Sequence, residues 1–435
     1  MQSILSLQIN FSLGLEKNQE FEMRVAIIGA GISGNTAAYR LNKKHDITLF
    51  EAADYIGGHA NTIDVTEDGS TVSVDTGFIV FNDRTYPKFI SLLNEIIVPS
   101  QPSEMSFSVS CESSGLEYNG ATINKLFCQR RNLVRIPFYR MIYDILRFNR
   151  LAPHAAVDED DSILLHEYLE ENQYSPQFIH QYLLPMCAAI WSASPLTIYE
   201  TPLHFLVRFM ENHGLLSVNN RPLWKVIKGG SQNYIKQMVM DYSSKIRLST
   251  PVQWVKRHPH FVELKASGHE PERFDRVFFA CHSDQALQIL SDASSLEREI
   301  LGSIRYQSNE ATLHTDDLLL PQRKPAWAAW NYYIPENTDQ PASVTYNMNI
   351  LQGLKSLHTY CVTLNDFGRI QPNKIIKKIT YHHPVFTQAS IAAQRRHKEI
   401  NGINRTYYCG AYWGNGFHED GVVSALSALE VFEAQ

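Results

Sequence analysis

Residues 24–34, Arg24-Val25-Ala26-Ile27-Ile28-Gly29-Ala30-Gly31-Ile32-Ser33-Gly34, constrain this chain more than any other stretch. Four apolar residues run into a Gly-x-Gly-x-x-Gly turn, the pattern of a buried parallel strand, a tight loop and the start of a helix. Each glycine has its own reason. Gly29 lets the chain turn sharply out of the strand, Gly31 lets backbone approach a pyrophosphate, and Gly34 lets the helix pack closely on the sheet. The N–H groups around Ala30, Ile32 and Ser33 then face the diphosphate, and the helix dipole adds to the attraction. Ala38 and Leu41 continue the buried helix face, and Ile47-Thr48-Leu49-Phe50 forms a second strand that ends in Glu51. That carboxylate lies 22 residues beyond Gly29, near the spacing of about 20 at which an acid takes a ribose hydroxyl. The stretch reads as a dinucleotide cradle.

The residues after Glu51 narrow the choice of dinucleotide. Ile56-Gly57-Gly58-His59 places a glycine pair where plain nicotinamide-binding units carry on with sheet and helix. Here the sequence resembles the flavin-containing amine oxidoreductase superfamily of amine oxidases, protoporphyrinogen oxidase and phytoene desaturases. In that group Gly-Gly-Arg follows the ribose acid and lies along the FAD diphosphate. His59 stands at the third position, so an imidazole that titrates near neutral pH replaces the usual permanent cation.

The resemblance implies an α/β fold in which a discontinuous Rossmann-like FAD-binding domain carries an inserted α+β substrate domain. It assigns residues 23–85, 225–290 and 401–435 to the first and 86–224 and 291–400 to the second, with 1–22 as a disordered extension. It further implies that Asp75, Thr76 and Gly77 lie near the flavin ring and that the backbone of Val252 meets the adenine end. The closing loop, with Gly410, Glu419, Asp420 and Gly421, would lead into a helix whose start faces FAD. Read alone, Asp75 fits a strand end closed by a glycine turn equally well. Ile56 to Thr62, and Cys409 to Tyr412 with Gly416 to Gly421, are similar in wording to a bacterial group of predicted NAD/FAD-binding proteins. Genes of that group often sit beside cyclopropane-fatty-acid-synthase-like methyltransferases. This implies a fatty acyl chain as substrate and a lipid-modifying methyltransferase as partner.

Composition excludes some classes. The chain has 435 residues, 44% of them hydrophobic, and a net charge of −6, which supplies no basic field for nucleic acid. Its six cysteines lack any C-x-x-C pair, so neither a zinc site nor a disulfide framework is expected and a reducing cytoplasm fits. Among residues 130–150, six arginines accompany one acid, Asp144, and Pro137 marks a helix start. Such an element either rests on an anionic membrane surface as a peripheral contact or is a solvated basic face of a domain helix. Asp158 to Asp161 reads as an acidic surface loop.

No second Gly-x-Gly-x-x-Gly follows a strand, so hydride is expected to come from an organic substrate rather than from a nicotinamide domain. His59, His282 and His418 are the titratable candidates, chiefly as positioning groups, and no catalytic base is named. Trp327, Trp330, Tyr332, Tyr333, Tyr346 and Tyr360 read as strand residues that serve core packing, or of which a minority lines an apolar pocket. The expected function is an FAD-dependent oxidoreductase that oxidises or saturates a small hydrophobic substrate. A flavin-dependent isomerase of the galactopyranose mutase kind and an accessory flavoprotein of a lipid-modifying complex stand as alternatives.

Overall fold

The computed structural model describes residues 23–157, 162–191, 193–217, 221–336 and 343–435. The expected extension 1–22 and the acidic tract 158–161 lie outside them. Strand β1 (Arg24–Ile28) buries every residue after Arg24, as its apolar run requires. It occupies the centre of a five-stranded sheet ordered Ile246–Arg247, β2 (Asp46–Phe50), β1, Arg276–Phe279, Thr406–Tyr408. All four pairings are parallel, so both faces must be covered. On one face Val25, Ile27 and Leu49 pack with Ala37, Ala38 and Leu41 of α1 (Ile32–Leu41) and with Ala425 and Leu429 of the C-terminal helix His418–Glu433. On the other, Ala26, Ile28 and Phe279 meet a three-stranded antiparallel sheet through Val255, Leu264 and Phe274. The result is a Rossmann-like α/β layer whose strands come from three separated stretches of chain.

A second, seven-stranded sheet runs in the order Ile375–Val385, Arg305–His314, Cys361–Leu364, Ser343–Asn347, Trp330–Ile334, Phe107–Cys111, Leu116–Asn119. It is mixed, because Trp330–Ile334 pairs in parallel with Phe107–Cys111 while its other ladders are antiparallel. Helices including α3 (Ile136–Ala155) and Leu203–Asn212 share the largest core with this sheet through Met141, Phe148, Phe205 and Phe209.

Strands β3 (Thr62–Glu67) and β4 (Ser70–Asp75) form a hairpin, whose turn residues Asp68 and Gly69 both have positive φ. Its Val72 and Val74 bury in the larger core, although the sequence places this segment with the cofactor layer. A small sheet of Val80–Asn82, Trp224–Ile227 and Ser100–Pro102 ties the two regions together. Among the described residues, no helix is long and apolar enough to cross a membrane.

Candidate functional site

A cavity of about 1080 Å³ opens between the parallel layer and the mixed sheet. One end of it is built by β1, α1 and β2. Gly29 adopts φ +103, its N–H bonds the Phe50 carbonyl at 2.8 Å, and a Cβ there would press on the Ala280 carbonyl oxygen at 2.7 Å. Gly31 differs, since a Cβ on it would meet nothing within 4 Å and Gly31 lines the cavity. No side chain caps the first turn of α1, so its N-terminal N–H groups and dipole are left for an anion. Glu51 lines the same end. Its two carboxylate oxygens accept from the N–H of Ala30 at 2.7 Å and of Ala53 at 2.9 Å, which fixes the carboxylate at the strand end.

The glycine pair lies against this turn. The Gly57 N–H bonds the Ala30 carbonyl at 2.9 Å, and a Cβ on Gly58 would approach the Gly31 Cα at 3.2 Å. Two backbone loops therefore stack without intervening side chains. His59 follows, and its Nε2 is buried with no hydrogen-bond partner among the described residues. Its ring stacks on Tyr381 at 4.7 Å and tilts against His383 at 5.3 Å. Burial, reinforced by His282 and His382, pushes its pKa down to about 4, so the imidazole is neutral at pH 7.

Thr76 and Gly77 line the cavity. Thr76 Oγ1 donates to the Asn61 carbonyl at 2.9 Å and lies 3.0 Å from the Tyr381 hydroxyl, and a Cβ on Gly77 would collide with the His59 carbonyl oxygen. Ile32, Ser33, Val252 and Gly410 also line the wall.

The structure places the remaining expected contacts behind that wall. Gly34 packs α1 on the turn, where a Cβ would collide with the Gly29 carbonyl oxygen, and Ala30 and Gly57 form the stacked loops just described. Asp75 is fully buried and ties the hairpin to its neighbours. Its carboxylate accepts from the Thr62 hydroxyl, from the Ser231 N–H and hydroxyl, and from the Gln352 amide at 3.0 Å. Burial raises its pKa to about 6, and the Thr62 and Ser231 donors pull against that shift. Glu419 spends both oxygens on the N–H groups of Lys88 and Phe89, at 2.9 and 2.8 Å, the first turn of α2 (Pro87–Glu95). Asp420 accepts from the Phe417 N–H at 2.8 Å and so caps its own helix, with its pKa raised to about 6 by burial. Gly421 is the close crossing with α1, where a Cβ would stand 2.6 Å from Ile32 Cγ2.

Other groups complete the middle of the cavity. His282 stacks on Tyr306 at 4.3 Å and is pushed down to about 4 by burial. His418 stacks on Phe78 at 3.5 Å, and its Nε2 lies 2.9 Å from the Tyr234 hydroxyl. Burial pushes the Cys281 thiol up to about 12, which removes it as a nucleophile at neutral pH.

Tyr381, His382 and His383 line the cavity without having been expected. They sit on the edge strand Ile375–Val385, about 320 residues from the Asn61 amide that bonds the Tyr381 hydroxyl, and no local pattern marks them.

Beyond the histidines the wall turns apolar, with Tyr118, Met186, Ile190, Trp191, Phe209 and Phe386. Trp330 and Tyr346 contribute to it, while Tyr332 packs in the core and the Trp327 indole N–H bonds the Pro321 carbonyl. Apart from histidines, Glu51 and Arg221 are the charged side chains of the lining among the described residues.

A family model described as an NAD(P)-binding Rossmann-like domain matches residues 27–96. Solved structures similar over nearly the whole chain include cyclohexylamine oxidase from Brevibacterium oxydans IH-35A, at 17% identity, covering 95% of this chain and 99% of that one, with a TM-score of 0.66. Wild-type putrescine oxidase bound to putrescine is 14% identical over 94% and 99%, with a TM-score of 0.66. A CLA-producing fatty acid isomerase from P. acnes is 14% identical over 94% and 99%, with a TM-score of 0.67. The chain shares the fold of these proteins.

Proposed function

We propose that this chain binds FAD and is an oxidoreductase that removes hydride from, or delivers it to, a small hydrophobic substrate. The observation that carries this reading is one continuous cavity with a glycine-lined cradle at one end and, at the other, a largely aromatic and aliphatic wall in which Arg221 is the charged side chain among the described residues apart from histidines. The cradle fits the cofactor on its own evidence. Gly31 leaves open space where a side chain would intrude, the helix start is uncapped, and His59 Nε2 is buried without a partner among the described residues. The solved neighbours that share the fold include oxidases of amines and an isomerase of a fatty acid.

When bound, FAD supplies the hydride acceptor or donor at N5, chemistry the side chains themselves lack. Gly31 and the first turn of α1 would hold the diphosphate, Glu51 the ribose hydroxyls, and Val252 the adenine end. Tyr381, fixed by Thr76 and Asn61, holds the His59 ring in place, and the neutral imidazoles keep the middle of the cavity uncharged. The apolar wall excludes water from the reacting carbon and orients an aliphatic or alicyclic substrate.

Incubating the purified protein with FAD, followed by desalting, should leave flavin absorbance on the protein. Anaerobic addition of fatty acids, lipid extract or hydrophobic amines should then bleach it. A preparation that stays colourless after FAD ends this reading. The likeness to the fatty acid isomerase keeps a second reading alive, in which hydride is taken and returned within one substrate. Double-bond migration without lasting bleaching would select it, and retained flavin with no turnover of any compound would leave an accessory role beside a lipid-modifying enzyme.

A further inference from the structure

The chain carries a net charge of −6, yet residues 123–150 hold seven basic side chains against Asp144 alone. The structure shows where they point. Helix α3 buries Phe138, Met141, Asp144, Phe148 and Ala152 along one face. Ile136, Tyr139, Tyr143 and Leu146 recur at +3, +4 and +3 on the opposite side and are all exposed, Ile136 at 82%. A surface helix needs one apolar stripe, the one that faces the core, and this helix has two. The second stripe is extended by Leu133 and by Val134, 85% exposed, in the turn that leads into α3, and by Ile123, 79% exposed. Single exposed apolar residues are ordinary, whereas a contiguous set rimmed by cations marks an interaction surface.

Of the cations, Arg130, Arg131, Arg140 and Arg150 are exposed, whereas Arg147 turns inward and stacks over the Tyr174 ring at 4.0 Å. Arg130 bonds the Asn124 side-chain oxygen and Arg131 the Gly115 carbonyl. Among the described residues, the carboxylates paired with this set are Asp144, shared by Arg140 and Arg147, and Glu104, 3.8 Å from Lys125. The patch also adjoins an opening of the cavity. Gly120 and Ala121 are exposed and line it, and the helix Ile123–Leu126 begins two residues later. From there the Phe127 ring lies 5.9 Å from that of Tyr139 on α3.

We propose that residues 123–150 dock this protein on the surface of an anionic lipid bilayer, with the aliphatic stripe and tyrosines entering the headgroup boundary and the arginines meeting lipid phosphates. Charge complementarity and the apolar stripe are what such a surface selects. Tyrosine is at home at that depth. The docked orientation turns the opening at Gly120–Ala121 toward the lipid, which rests on the hydrophobic substrate proposed above; the docking itself does not.

The full-length protein is floated with vesicles of phosphatidylcholine alone and of phosphatidylcholine with phosphatidylglycerol. Flotation with the anionic vesicles, weakened by salt, is expected. The pair Ile136→Asp and Leu146→Asp should abolish it, and Arg130→Gln with Arg131→Gln should lower partitioning roughly 30-fold. Unchanged thermal melts show that these surface variants remain folded. Absence of flotation at low salt, or equal flotation of the aspartate variants, overturns the proposal. So does a homodimer that the aspartates dissolve while vesicle binding persists. Because flotation is read without turnover, colourless protein that still floats would sink the flavin reading and leave this one standing.

Discussion

At the scale of single residues, neighbouring glycines of one motif separate into different jobs. Gly31 has φ −73 and open space on its Cβ side, so Gly31→Val is expected to fold with an unchanged melting temperature and to lose FAD, read as flavin absorbance per protein after desalting. Gly34 has the Gly29 carbonyl in that position, so Gly34→Ala should cost about 3 kcal/mol or more through overpacking, read by denaturant unfolding. Equal flavin retention in wild type and Gly31→Val would count against the cradle. His59 shows what a motif does not convey. Its place after the glycine pair is legible, but its neutrality comes from burial beside Tyr381, His282 and His383, residues hundreds of positions away in the chain.

At the scale of elements, helix ends carry much of the construction. The C-terminal helix begins with two acids, which sequence resemblance assigns to FAD, but the structure spends Glu419 on the first turn of α2 and Asp420 on its own cap. A carboxylate near a helix start is stabilising wherever the helix is, and no local pattern says whose helix it will be. Glu419→Ala should therefore destabilise the apoprotein by about 1–2 kcal/mol, measured by thermal melting without FAD. If the loss were confined to flavin affinity, Glu419 would be a cofactor contact after all. The strands β1 and β2 and the turn between them were legible because their apolar run, glycines and terminal acid all serve neighbours within thirty residues. The seven-stranded sheet was not, because its order joins Phe107–Cys111 to Trp330–Ile334, a pairing that only the closed fold supplies.

At the scale of the whole molecule, buried imidazoles set the pH response. His59, His213, His282, His314 and His397 are each pushed from 6.5 to about 4, and His383 to about 3, with burial the largest cause throughout. A depressed folded-state pKa means that the unfolded chain binds more protons between pH 4 and 6.5, so stability falls as the pH drops through that window. Asp75 and Asp420, both raised from 3.8 to about 6, act in the opposite sense over part of it. The histidines outnumber them. The melting temperature should be level above pH 7 and decline below about 6.5, and a melting temperature that rises on acidification from pH 7 to 5 would contradict this balance. What the amino-acid sequence determined by itself was the glycine turn, the strands on either side of it and the helical periodicity of residues 130–150, because each rests on spacing within a single turn, strand or helix. Tertiary structure alone decided which glycines face the cavity, which acids are spent as caps, and that Tyr381 and three histidines from separate segments meet around one space. The reason is physical: burial and packing belong to partners brought together by folding, and their energies leave no periodic trace along the chain.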